Sequence, residues 1–130
     1  MSQVTALAGV YDADGGVRGE TVYVIGHLLG RAHCALCDIT HSPVRRKPAW
    51  DRMAATLPVP IRLLHRNELD AELALAIEGE PLALVAARVA GEWTVLLDAR
   101  DLDGLDGDVD RFRGLVMSRL RQRGWEPAAP

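Results

Sequence analysis

The chain has 130 residues, 48% of them hydrophobic and 25% charged, with a formal net charge of -3. That size and balance suit one globular domain over residues 1–130 and exclude a fibrous or wholly disordered chain. No broad basic face suggests nucleic acid, no apolar run approaches the roughly 18 residues of a membrane span, and the opening M-S-Q-V-T-A-L-A-G-V lacks the basic start and apolar core of a signal peptide, so a cytoplasmic protein without membrane or nucleic-acid partners is expected.

In chain order, Val4 to Tyr11 is apolar and β-branched and reads as a strand, ended by the turn residues Asp12, Asp14, Gly15 and Gly16. Glu20 to Leu29 has helical spacing. Pro48 suits the first turn of a short helix with Trp50, Met53, Ala54 and Leu57 on one side. Thr40 and Ser42 are candidate caps for that helix. Val59 to His65 reads as a second strand. Asn67 is placed to cap a helix whose face is Leu69, Leu73, Ala76 and Ile77 and which Gly79 stops.

Pro81 introduces L-A-L-V-A-A, apolar on both faces as for a covered central strand. Ala90-Gly91-Glu92 turns the chain into W-T-V-L-L, so these strands should form an antiparallel hairpin. Asp108 starts a last helix with Val109, Phe112, Val116 and Leu120 on one face and Gly124 at its end. Helices between the first three strands imply parallel crossovers. The expected fold is α/β, with a four-stranded mixed sheet and flanking helices.

The stretch G-R-A-H-C-A-L-C-D-I-T-H, Gly30 to His41, holds both cysteines and two of the four histidines, with His27 just upstream. Two cysteines in a reducing compartment point to catalysis, redox sensing or metal binding before a structural disulfide. Two local structures are open. One helix running from Glu20 to His41 would carry Gly26 and Gly30 at about 1 kcal/mol each. It would align His27, Cys34 and His41, spaced by seven, on one face away from the core stripe. The alternative stops that helix at Gly30 and begins a new turn near His33.

The metal reading takes Cys34, Cys37 and His41 as three ligands of a C-x2-C-x3-H site, with the fourth from His33, His27 or His65. Tetrahedral zinc uses this donor set and spacing, although thiolates with imidazole accept other soft ions too. Asp38 is a candidate to orient a ligand histidine, or simply a solvated or capping residue. The redox reading uses the same atoms. A helix N-terminus and the cations of His33, Arg31 and Arg45 to Lys47 would lower a thiol pKa, making Cys34 the attacking thiolate and Cys37 the resolving thiol. A third reading is an interaction module in which the segment only shapes a surface. The sequence leaves open whether the protein is an enzyme, and its oligomeric state.

The element order, the C-A-L-C pair and G-E-P-L-A-L-V-A-A-R-V-A-G-E-W-T-V-L-L together resemble the thioredoxin-like superfamily, whose core order is βαβαββα. The resemblance implies that Pro81 is the cis-proline facing the thiols, and that Cys34 and Cys37 are the redox pair. It departs from the family in two places. More than twenty residues separate Tyr11 from Cys34, and His33 stands where a tryptophan is usual.

Other signals are weaker. Asp12-Ala-Asp14-Gly-Gly starts like a calcium loop, but Tyr23 stands at the required glutamate. Asp101 to Asp108 is acidic, and helix capping explains it better than calcium. The Walker pattern and the dinucleotide fingerprint are absent. His65, Arg66 and Asn67 end the second strand, where α/β sheets gather ligands, and so are candidates to approach the cysteine segment.

Overall fold

The computed structural model describes residues 2–12, 34–41 and 47–128. The expected helix at Glu20 to Leu29 and the histidines His27 and His33 lie outside the described residues, as do Ser42, Arg45 and Arg46. Among the described residues the elements run β1 (Gln3–Tyr11), α1 (Ala35–Thr40), α2 (Pro48–Ala54), β2 (Ile61–His65), α3 (Ala71–Ala76), β3 (Leu84–Val89), β4 (Glu92–Leu97), α4 (Ala99–Asp103), α5 (Val109–Arg123) and β5 (Glu126–Pro127).

The strands form one open mixed sheet in the order β2-β1-β3-β4, with β5 added at the start of β1. A five-stranded sheet thus replaces the expected four strands. The extra pairing is short, Gln3 with Glu126 and Val4 with Pro127. β1 and β2 are parallel, from Leu7 opposite Ile61 to Tyr11 opposite His65. β3 lies antiparallel on the other side of β1, so only the first of the two expected parallel crossovers is formed. α3 is six residues long, and it returns the chain antiparallel. The mixed sheet with flanking helices is compatible with a thioredoxin-like fold.

Both sheet faces are covered, which is why β1 and β3 carry long apolar runs. One face packs Val4, Leu7, Tyr11, Val85, Ala87 and Val89 under Leu36 and Ile39 of α1, Trp50 and Met53 of α2, and Phe112, Val116 and Leu120 of α5. The rings of Trp50 and Phe112 meet with centroids 5.1 Å apart and join α2 to α5. The opposite face is smaller, with Ala8, Val10, Leu84 and Ala86 against Leu73 and Ile77 of α3.

The local signals resolve as follows. Ala90 and Gly91 both have positive φ, at 52° and 81°, as a two-residue turn between antiparallel strands requires. Asp108 caps α5 by accepting from the Arg111 N–H, and Gly124 ends it at φ 68° in the left-handed region. Asp70, not Asn67, caps α3, because its carboxylate accepts from the Leu73 N–H. Ala76 is exposed. Thr40 does not cap α2; its side chain is turned inward, and Lys47 occupies the N-cap position with no side-chain cap bond. The cis peptide bond falls between Leu82 and Ala83 rather than before Pro81, which is exposed.

Two contacts fix how the larger layer sits. A Cβ on Gly9 would stand 3.0 Å from Leu63 Cδ2 and 3.1 Å from Leu36 Cδ2, so the bare glycine lets α1 close onto β1 and β2. Arg119 of α5 makes a bidentate pair with Asp101 of α4, at 3.1 Å for both bonds, and also donates to the Leu96 carbonyl of β4 at 3.0 Å. Asp101 also closes a capping box with Asp98 at the start of α4. The acidic run is therefore used for capping and pairing at Asp98, Asp101 and Asp108.

Gly9→Val should destabilise the fold by about 1–3 kcal/mol through overpacking, read as a lower denaturation midpoint. The Asp101 carboxyl is held below its ordinary value of 3.8, mainly by hydrogen bonds from the Arg119 side chain. A depressed acid stabilises the fold above its unfolded pKa, and that gain is lost as pH falls through the folded value. Arg119→Met should therefore cost about 1 kcal/mol at neutral pH, and it should flatten the acid limb of the stability profile below pH 3.8.

Candidate functional site

Cys34 lies where three things meet: the end of β1, the start of α1 and the larger core. Its backbone is extended, with φ -144° and ψ 109°, and α1 begins at the next residue. A single helix through Cys34 is therefore not formed; His27, the first of the three residues spaced by seven, lies outside the described residues. The helix that carries Cys37 starts at Ala35, with Cys34 as its N-cap.

An N-cap side chain must accept from the first free amides of the helix, a task usually done by Ser, Thr, Asp or Asn. Here sulfur does it. Cys34 Sγ accepts from the Cys37 N–H at 3.3 Å. The Cys37 side chain and the Asp12 amide also favour the charged form of this sulfur. Asp12 directly follows β1, so the first cysteine lies near the end of the first strand. The long sequence gap is closed in space.

These donors decide the thiol's ionisation. The Cys34 pKa is lowered from 9.0, first by the Cys37 thiol and then by the backbone amides of Asp12 and Cys37. Burial and the Asp12 carboxylate push the other way and lose. Hydrogen bonds to an anion outweigh its desolvation when several converge. Neither cysteine is in a disulfide, and Cys34 is 1% and Cys37 8% exposed.

Around this pair the ends of β1 and β2 assemble a polar group. Tyr11 Oη lies 2.9 Å from Thr40 Oγ1 and 3.5 Å from His41 Nδ1, and Thr40 Oγ1 lies 2.6 Å from His41 Nδ1. The His65 ring tilts against Tyr11 with centroids 5.0 Å apart, and its Nδ1 pairs with Glu68 at 2.6 Å. Bonds from the His65 amide and ring hold the Glu68 carboxyl below its usual range. Arg66 reaches the Asp12 carboxylate at 3.4 Å. His65 and Arg66 contact Tyr11, the last residue of β1, and Asp12, which follows it; their expected approach was to the cysteine segment. Asn67 is not the helix cap expected of it.

Asp38 shows its backbone carbonyl, not its carboxylate, in the contact that shapes the site. Lys47, the sole lysine, donates to the Asp38 carbonyl at 2.6 Å and the Gly107 carbonyl at 3.1 Å. It staples α1 to the turn before α5. Tyr11 and Asp12 were missed as site residues by the sequence reading. The signal available for them was position alone, at the carboxyl end of a strand followed by turn residues.

Among the described residues no group of three or more His, Cys, Asp or Glu side chains is arranged to hold a metal ion. No described helix is long and apolar enough to cross a membrane.

The thiol hydrogen bond can be tested by substitution. Cys37→Ser keeps a donor and should leave the Cys34 titration low, whereas Cys37→Ala should move it upward. Thiolate absorbance against pH reads both. No family model, curated protein or solved structure matches the chain.

Proposed function

We propose that Cys34 and Cys37 form a reversible dithiol–disulfide pair, making this a thioredoxin-like thiol oxidoreductase or redox sensor. The observation that carries the reading is the Cys34 sulfur at the N-cap of α1, where it accepts from the Cys37 N–H at 3.3 Å. A cysteine in this setting is a thiolate at a pH where an ordinary thiol is protonated, and the thiolate is the nucleophile. The C-x-x-C resemblance supports the same assignment.

The chemistry closes on the two sulfurs. The Cys34 thiolate attacks one sulfur of a partner disulfide and forms a mixed disulfide, and the partner's other sulfur leaves as a thiolate. Cys37 gives up its proton and attacks Cys34 Sγ. The Cys34–partner bond breaks and the intramolecular disulfide forms. The chain loses two electrons and the partner disulfide becomes two thiols. The low exposure of Cys34 selects small disulfides, or partners reached when α1 opens locally.

The metal reading shares these thiolates. It asks Cys34, Cys37 and His41, with His33 or His27, to hold zinc or another soft ion. His41 Nδ1 is engaged with Thr40 and Tyr11, so its ring would ligate through Nε2. The N-cap position of Cys34 and the C-x-x-C resemblance support the redox reading.

The test is an equilibrium titration of the purified, reduced chain against graded ratios of oxidised to reduced dithiothreitol, with free thiols counted by alkylation and intact mass. The expected result is one two-electron transition that loses both thiols together and disappears in Cys34→Ser. Two thiols that persist across the range, with about one equivalent of metal per chain lost on replacing both cysteines, would instead make the metal reading the correct one.

A further inference from the structure

Lys47 lies outside α1 and holds its last carbonyls twice. The His41 amide closes the final turn of α1 on the Cys37 carbonyl at 2.8 Å, so the carbonyls that follow have no partner within the helix. Lys47 takes two of them. Its backbone N–H donates to the Thr40 carbonyl at 2.8 Å, and its Nζ donates to the Asp38 carbonyl at 2.6 Å. A helix of six residues has no stability of its own, so such outside bonds set its position.

The lysine is itself fixed. Lys47 is the N-cap residue of α2, and its carbonyl accepts from the Trp50 N–H at 3.0 Å. Trp50 is 2% exposed and packs against Phe112 of α5. The same Nζ donates to the Gly107 carbonyl at 3.1 Å. Gly107 has φ 72°, and a Cβ there would stand 3.2 Å from the Asp38 carbonyl oxygen. The Asp38 carbonyl is thus met from two sides, by the ammonium and by a bare backbone. Beside this bridge a cavity of about 470 Å3 opens between Ala35 of α1 and Leu102, Asp103 and Asp106. Packing there is incomplete, so the bonds of Lys47 carry the approach of α1 to the turn before α5.

Asp38 belongs to the turn that carries both sulfurs. Its amide donates to the Cys34 carbonyl at 3.0 Å, and the Cys37 amide donates to Cys34 Sγ at 3.3 Å. A disulfide needs its Cα atoms about 4.4–6.8 Å apart, a span that one helical turn supplies. With this turn held closed, Cys37 stands at Cys34 before any bond forms. With the turn loosened, the reduced chain gains freedom that the disulfide must remove, and the effective concentration of one sulfur at the other falls. Tyr11 and Thr40 hold the far end of α1 by their own bond.

We propose that Lys47 is the positioning residue of the dithiol: by fixing the Asp38 carbonyl against Gly107, it holds the Cys34–Cys37 turn closed in the reduced chain and so favours the intramolecular disulfide. The inference rests on the reading of Cys34 and Cys37 as a redox pair. Lys47 acts through the Asp38 backbone, not on a sulfur.

The test equilibrates the full chain at one neutral pH with graded ratios of oxidised to reduced dithiothreitol, counting thiols by alkylation and intact mass. Unfolding midpoints of the fully reduced and fully oxidised forms are measured alongside. Lys47→Met should need about tenfold more oxidised dithiothreitol to reach half-oxidation, a shift of about 30 mV for a two-electron couple. Gly107→Ala keeps the lysine but places a methyl against the Asp38 carbonyl, and should shift the same way. Lys47→Arg keeps a cationic donor and should stay with the parent. Arg52→Met removes the same formal charge from an exposed position of α2 and should also stay with the parent. A merely structural role would lower both unfolding midpoints equally and leave the thiol equilibrium unmoved, because that equilibrium reads the difference between two folded forms.

A folded Lys47→Met with the parent's equilibrium would overturn the proposal. So would Arg52→Met or Lys47→Arg shifting as far as Lys47→Met. If Lys47→Met does not fold, Gly107→Ala decides, and a parent-like equilibrium there overturns the proposal. A parent that keeps both thiols across the whole range overturns the redox reading and this inference with it. A parent that makes the two-electron transition while the variants stay unmoved overturns this inference alone.

Discussion

Everything proposed for this protein depends on one contact, the docking of the Cys34 sulfur on the Cys37 amide at the start of α1. It takes a cysteine that is far from the first strand in sequence and makes it part of that strand's end. The same contact caps the helix, lowers the thiol's pKa and sets the neighbour with which the thiol can pair. Without it α1 would be a six-residue helix with an uncapped start, and Cys34 an ordinary buried thiol. The surrounding fold serves this contact: β1 and β2 run parallel and end together, Gly9 lets α1 approach, and Lys47 ties the helix to the turn before α5.

The elements with strong local signals were legible from the sequence. The hairpin at Ala90-Gly91 needed two positive φ values in succession, and glycine supplies one of them cheaply. The α5 boundaries follow from an acid that accepts from backbone amides and a glycine that reaches the left-handed region. The two-faced run of β3 predicted its burial. What failed was decided by tertiary packing. Asn67 and Asp70 are both good caps in isolation, and only the seat of Leu73 and Ile77 on the sheet selects Asp70. The place of β3 is likewise set by which edge of β1 remains open after β2 has paired, and no local pattern encodes that. β5 is two residues long and has no periodicity to read.

The site was half legible. The density of cysteine and histidine marked the segment, and the C-x-x-C spacing named the pair. The choice between a continuous helix and a fresh N-terminus at Cys34 was open, because alanine, leucine and cysteine at these positions suit either course. A sulfur N-cap has no sequence signature. Tyr11 and Thr40 form a buried polar pair beside His41 at the end of α1, yet each is an unremarkable residue whose role comes from where the strand and the helix end. The histidines divide in the structure: His41 joins Tyr11 and Thr40, and His65 joins Tyr11 and Glu68.

The most direct measurement is the 13Cβ chemical shift of Cys34 and Cys37 by nuclear magnetic resonance, in metal-free protein stepped through increasing ratios of oxidised to reduced glutathione. The account predicts that both carbons begin in the reduced range and pass together to the disulfide range, reversibly and with the β-sheet signals unchanged. It would be contradicted by cysteines that stay reduced until the sheet unfolds, or by only one of them moving as it acquires glutathione.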